Sequence, residues 1–137
     1  MRARLTEAGM DHVHVDSAGT HGYHVGEAPD ERSQRAARAR GYDLSVLRAR
    51  QFAPEDFARF DWILAADASN LSVLQRLRPQ EFDGYLRLIL DVLGEAGAEV
   101  PDPYYGGERG FEAVLDLLES ACDGWLLRLQ QGWMLRR

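Results

Sequence analysis

The chain contains no lysine; all sixteen of its basic residues are arginine. That absence excludes Schiff-base chemistry and a Walker-type phosphate loop, both of which need a lysine amine. There is one cysteine, Cys122, so no internal disulfide can form. No run is long and apolar enough to span a membrane and no signal peptide is visible, so a cytoplasmic location without a membrane partner is expected. Positive charge is not in excess: the formal net charge is −6, which argues against a nucleic-acid partner. What is present is ordinary for a globular protein. The 137 residues are 45% apolar and 28% charged, enough for one domain with a real core.

Taken in order, residues 1–10 read as a helix with Leu5 and Ala8 on its apolar side, stopped near Gly9. His12-Val13-His14-Val15 alternates and predicts a short strand, which runs into the small-residue turn Asp16-Ser17-Ala18-Gly19-Thr20. The four histidines between 12 and 24 lack a cysteine or paired acid to complete a ligand set, so no metal site is expected. Pro29-Asp30-Glu31 opens a helix through Arg40, closed by Gly41, with Arg32, Arg35 and Arg38 on a solvated face. Pro54-Glu55-Asp56-Phe57 starts a short helix. The apolar run 62–66 predicts a central parallel strand ending at Asp67. Asp67 then has two readings: a site residue at the carboxyl end of a strand, or the N-cap of a helix over 70–77. Residues 85–92 predict another strand with Leu86, Leu88 and Leu90 on one face. Phe111, Val114, Leu115, Leu118, Cys122, Trp125, Leu126 and Leu129 repeat at helical spacing, and 131–137 form a tail.

The stretch Val100-Pro101-Asp102-Pro103-Tyr104-Tyr105-Gly106-Gly107 carries the most chemistry. Prolines on either side of Asp102 restrict its backbone, and two phenols and two glycines follow. A rigid acid beside an aromatic pair suits a proton donor at the mouth of a pocket for a flat substrate. The plainer reading is a proline-glycine surface loop with a solvated carboxylate.

Asp102-Pro103-Tyr104-Tyr105-Gly106-Gly107, with Asp16-Ser17-Ala18-Gly19-Thr20 upstream and Asp67-Ala68-Ser69-Asn70 between, resembles the low-molecular-weight protein tyrosine phosphatase family from about residue 5 to about residue 129. The resemblance implies an α/β, three-layer single domain over 1–137, with a parallel sheet of order 2-1-3-4. It implies Asp102 as general acid/base, and Tyr23, Tyr104 and Tyr105 as aromatic walls around a phosphotyrosine protein or small aryl phosphate. Ser17 and Asp67 would support them, and no cofactor is called for. Where the family often has a histidine near the site, this chain has Leu47.

The family's nucleophile is a Cys-x5-Arg-Ser/Thr loop after its first, central strand, and these residues contain no counterpart to that strand or loop. Cys122 and Arg128 satisfy the spacing literally but lie within a helical pattern, where six steps of about 100° leave them roughly 120° apart. Asp123 would repel a phosphate dianion, so Cys122 reads as a small apolar core residue. With Met1 falling inside a helix, the expectation is an N-terminally truncated phosphatase, inactive as 137 residues. The alternative is a non-catalytic remnant acting as an interaction or regulatory protein. Arsenate reduction needs further redox cysteines, and the paired tyrosines favour aryl phosphates over phosphoarginine.

Overall fold

Trp62-Ile63-Leu64-Ala65 forms the strand around which the apolar residues divide. In a computed structural model of the chain, which describes residues 1–95, 97–102 and 107–132, β1 (Trp62–Ala65) pairs in parallel with β2 (Tyr85–Leu88). Alternate side chains of a strand face opposite ways. Ile63 and Ala65 accordingly join Phe57, Leu74, Phe82 and Leu88 in one core, and Trp62 and Leu64 pack against Leu90, Ala121 and Trp125 in a second. The first core is covered by α3 (Asp56–Arg59) and α4 (Ala68–Leu77), the second by α5 (Gly107–Gln130). This is an α/β arrangement with a small parallel sheet covered on both faces.

Two helices come before α3 in the chain. α1 (Arg2–Glu7) buries Leu5, and α2 (Glu31–Ala39) is capped by Asp30, whose carboxylate accepts from the Arg32 and Ser33 amides. The expected stop at Gly41 is present; its φ of 89° is the left-handed conformation that glycine adopts without strain. Arg40, at the end of α2, meets Glu112, Asp116 and Glu119 of α5. Arg4 of α1 reaches Glu119 and Asp123, and the Tyr42 hydroxyl donates to Glu119 at 2.9 Å. The Arg40 and Tyr42 hydrogen bonds hold the Glu119 carboxyl below its ordinary range. Arg32, Arg35 and Arg38 are exposed as expected, though the Arg32 guanidinium also lies 5.1 Å from the Phe111 ring centre.

Three expectations are corrected. Residues 12–15 do not form a strand: the Val15 carbonyl accepts the Arg2 guanidinium at 2.6 Å instead of a ladder amide. The first parallel contact after that segment is an isolated bridge between Gly19 and Gln51. The second strand ends at Leu88, not Val92, and Ile89–Leu93 is a 3₁₀ turn. Its cause is visible: the Ile89 carbonyl accepts the Trp125 indole N–H at 2.7 Å, and Leu90 crosses into the core beneath α5. Among the described residues the sheet has two strands, β1 beside β2. The helix after Asp67 also begins two residues earlier than its apolar pattern marks.

α5 follows its predicted stripe, with Phe111, Trp125 and Leu129 buried and Cys122 half-buried inside the helix. Ala121, which the stripe omits, is fully buried. Residues 133–137 lie outside the described residues. Two glycines mark close approaches of unequal kind. A Cβ on Gly84 would lie 2.1 Å from the Asp61 carbonyl oxygen, on backbone next to the Tyr85 N–H···O Asp61 bond that opens the β pairing. The nearest atoms to a Cβ on Gly124 all belong to the Val92 side chain, the first at 2.7 Å. Gly84→Ala should therefore destabilise the chain by about 3 kcal/mol, at the upper end for overpacking. Gly124→Ala should be nearly neutral, because a helix-propensity gain of about 1 kcal/mol offsets the shift of Val92. Denaturant melts of the two variants check this, and equal losses would contradict it.

Candidate functional site

The carboxyl end of β1 is where the singled-out segments meet. The chain leaves β1 through Ala66 and enters α4 at Asp67, an extended residue whose carboxylate accepts the Asn70 amide at 2.8 Å. Asp67 is thus the N-cap of α4. The Ala68 amide is taken by Glu99 at 2.7 Å. Free amides at a helix start carry partial positive charge, and here two carboxylates take two of them, those of Ala68 and Asn70. The next residue after Glu99, Val100, donates its N–H to the Ala66 carbonyl at 2.9 Å. The stretch that leads into Asp102 is therefore fixed to the end of β1 by one side-chain and one main-chain bond.

A second tie comes from the same helix. Asn70 Nδ2 donates to Thr20 Oγ1 at 2.9 Å, which attaches the 16–20 turn to the first turn of α4. That turn is also laced to the segment at 49–52: Gly19 N–H donates to the Arg50 carbonyl and Phe52 N–H to the Gly19 carbonyl. Ser17 is exposed, and its amide donates to the Asp16 carboxylate at 2.8 Å. Asp16 in turn meets Arg50 Nε at 3.0 Å. Arg50 Nη1 reaches Asp56 at 2.9 Å, and the same Asp56 oxygen accepts the Ala53 amide.

Asp56 is the one buried charged residue among those described, only 2% exposed. Burial pushes its carboxyl up, but the Arg50 guanidinium and the Ala53 amide outweigh that and hold it below the ordinary carboxylate range. The same contact with Asp56 raises the Arg50 guanidinium.

The expected site residues fall out as follows. Ser17 and Asp67 belong to segments that Asn70 joins through Thr20. Asp102 is exposed, two residues beyond the anchored Val100. Tyr23 is 84% exposed, with its ring 5.6 Å from that of His21. Tyr104 and Tyr105 lie outside the described residues. Leu47 is half-buried. His24 pairs with Glu27 at 2.9 Å on an exposed surface.

Of the joining residues, Asn70 and Thr20 stand inside quoted motifs but carried no assigned role there, and Glu99, Arg50 and Asp56 were not singled out. Asn70 sits three positions after its cap, as a helix-start motif allows. Glu99 and the Arg50–Asp56 pair act across sequence separations that leave no local pattern. No helix among the described residues is long and apolar enough to cross a membrane.

The chain matches the family model described as low molecular weight phosphotyrosine protein phosphatase over residues 1–134. A Synechocystis sp. protein, provisionally named a low molecular weight protein-tyrosine-phosphatase, is 46% identical over 132 residues, spanning 94% of this chain and 83% of that one. The Streptomyces coelicolor protein of the same name is 42% identical over 135 residues, 95% of this chain and 82% of its own length. Among solved structures, a protein tyrosine phosphatase from Entamoeba histolytica with Hepes in its active site superposes with a TM-score of 0.88 at 33% identity, over 97% of this chain and 86% of that one.

The depressed Asp56 carboxyl makes stability depend on pH with a definite sign. Its folded value lies below the unfolded value of about 3.9, so its contribution is present above that pH and is lost as pH falls through the folded value. Wild type should lose thermal stability on acidification below about pH 5, and Asp56→Asn should flatten that dependence. The variant should also lose about 2 kcal/mol at neutral pH, the scale of a charged hydrogen bond. Parallel slopes of Tm against pH for the two proteins would contradict it.

Proposed function

The chain belongs to the low molecular weight phosphotyrosine protein phosphatase family, and from that membership we propose that it supplies the proton donor and the pocket walls for hydrolysis of phosphotyrosine or a small aryl phosphate. Asp102 is the general acid and base. Tyr23, Tyr104 and Tyr105 are the aromatic walls. Ser17 supports the nucleophile, and Asp67 holds the start of α4 that carries Asn70. The observation that supports this most is the pair of ties at the end of β1: Val100 to Ala66 at 2.9 Å and Asn70 to Thr20 at 2.9 Å. They bring the segment before Asp102 and the Ser17 turn to one end of one strand, where ligands of open α/β sheets bind.

In the proposed reaction a cysteine thiolate attacks phosphorus in line and the phenolate leaves, taking the proton of Asp102. Asp102, now ionised, takes a proton from water as it attacks the thiophosphate. The thiolate departs, and phosphate is released. Cys122 does not fit the attacking role. It lies inside α5 rather than at a helix N-terminus, so it lacks the amides that lower a thiol pKa and cradle an anion. Hydrolysis by the 137 residues alone is therefore not part of the proposal, and this favours, as a second reading, a non-catalytic protein that interacts with partners.

Assays with p-nitrophenyl phosphate separate the two. The 137-residue chain should show no turnover. The same chain joined at its N-terminus to a family segment carrying a strand and a Cys-x5-Arg-Ser loop should be active. In that active protein Asp102→Asn should lower kcat by about 10²–10⁴ for phenols that are poor leaving groups, and much less for p-nitrophenol. Turnover by the 137 residues alone that disappears in Cys122→Ser would overturn the assignment, as would an Asp102→Asn effect independent of the leaving group.

A further inference from the structure

Asp56 poses a question that stability does not answer. A carboxylate that is 98% buried is costly unless fully paired, and its Oδ1 has no hydrogen-bond partner among the described residues. Well-packed apolar residues often serve at least as well at such positions. The other oxygen, Oδ2, explains the arrangement: it fixes Arg50 Nη1 at 2.9 Å while itself held by the Ala53 amide at 2.9 Å.

A guanidinium is a rigid planar fork, so fixing one nitrogen orients the rest. Arg50 Nε then meets Asp16 Oδ2 at 3.0 Å, and Asp16 Oδ1 accepts the Ser17 amide at 2.8 Å. The main chain of Arg50 grips the far side of the same turn, its carbonyl accepting the Gly19 amide at 2.8 Å. One residue thus holds the 16–19 turn at both ends.

We propose that Arg50 is a positioning residue for the Ser17 turn, its guanidinium set by buried Asp56 and its charge spent on orienting Asp16. The inference rests on the reading of that turn as part of a phosphatase site. An ion pair as exposed as Arg50–Asp16, with side chains 34% and 47% exposed, contributes about 0–1 kcal/mol to stability. Its consequence is geometric: it selects the Asp16 conformation that accepts from Ser17.

The test uses the ¹⁵N-labelled 137-residue chain, so that its first result does not depend on activity. In Arg50→Gln the heteronuclear NOE of the Ser17 amide should fall, while the Gly19 and Phe52 amides, held main chain to main chain, keep wild-type values. Arg50→Lys should restore part of the Ser17 order. Asp16→Asn, which leaves α3 and the Asp56 contact intact, should loosen Ser17 in the same way and serves if Arg50→Gln fails to fold. A wild-type Ser17 NOE in whichever of these variants folds overturns the proposal. In the chain joined to a Cys-x5-Arg-Ser segment, Arg50→Gln should lower kcat by about 10- to 100-fold with KM little changed. An unchanged kcat overturns the positioning role. If the joined wild-type chain hydrolyses no aryl phosphate, the phosphatase reading fails, and the Ser17 NOE still decides for or against the clamp.

Discussion

The hydrogen bond from the Val100 amide to the Ala66 carbonyl is the constraint on which the site depends. It stands where β1 has ended and its pairing with β2 has stopped, so it extends the order of the sheet into the loop that carries Asp102. Glu99 reinforces it by capping Ala68, so that loop and helix start are held to each other and not merely near each other. Asn70 then passes the same order to the 16–20 turn through Thr20. Two stretches far apart in sequence converge because the start of α4 donates to each: the Ala68 main-chain amide to Glu99 and the Asn70 side-chain amide to Thr20. On the proposal that Asp102 is the proton donor, its position relative to the leaving group is inherited from β1 through Val100.

β1 is in turn fixed by packing on both faces. On one, Phe52, Phe57 and Phe82 meet edge to face with ring centres 5.2 and 5.0 Å apart, beside Ile63 and Ala65. On the other, Trp125 packs 5.4 Å from Trp62, and its indole binds the Ile89 carbonyl. That second contact sets the shape of the chain after β2, since it takes a carbonyl that a longer strand would have offered to a neighbour. Arg40 and Arg4 tether the outer side of α5 to α2 and α1 through Glu112, Asp116, Glu119 and Asp123. α5 is therefore placed by apolar contact with the sheet and by charge with the N-terminal helices.

The elements legible in the sequence are those whose cause is local. Pro29-Asp30-Glu31 at its start and Gly41 at its end announce α2, because cap and stop chemistry act within one turn. The unbroken apolar run at 62–66 announces a strand buried on both faces. The 85–92 stretch misleads because its leucines alternate beyond Leu88, while the event that ends the strand is a bond to Trp125, 36 positions further on. The alternation at 12–15 misleads similarly: a strand needs a neighbour, and the Val15 carbonyl is taken by Arg2. At the site, Asp67, Ser17 and Asp102 were marked by short motifs. Their connectors, Asn70 to Thr20, Glu99 to Ala68 and Arg50 to Asp16, act between segments and have no periodic signature. Asp56 looked like one more acid at a helix start, and only burial distinguishes it from its neighbours.

The central claim is spatial: the Asp102 loop and the Ser17 turn share the carboxyl end of β1. A nitroxide attached at position 102, in Asp102→Cys combined with Cys122→Ser, reports this by paramagnetic broadening of nearby amides. The account predicts strong broadening at Ser17, Thr20 and Asn70, with Gln131, at the far end of a helix about 36 Å long, unaffected. Sharp Ser17 and Thr20 amides in the labelled, folded chain would contradict it.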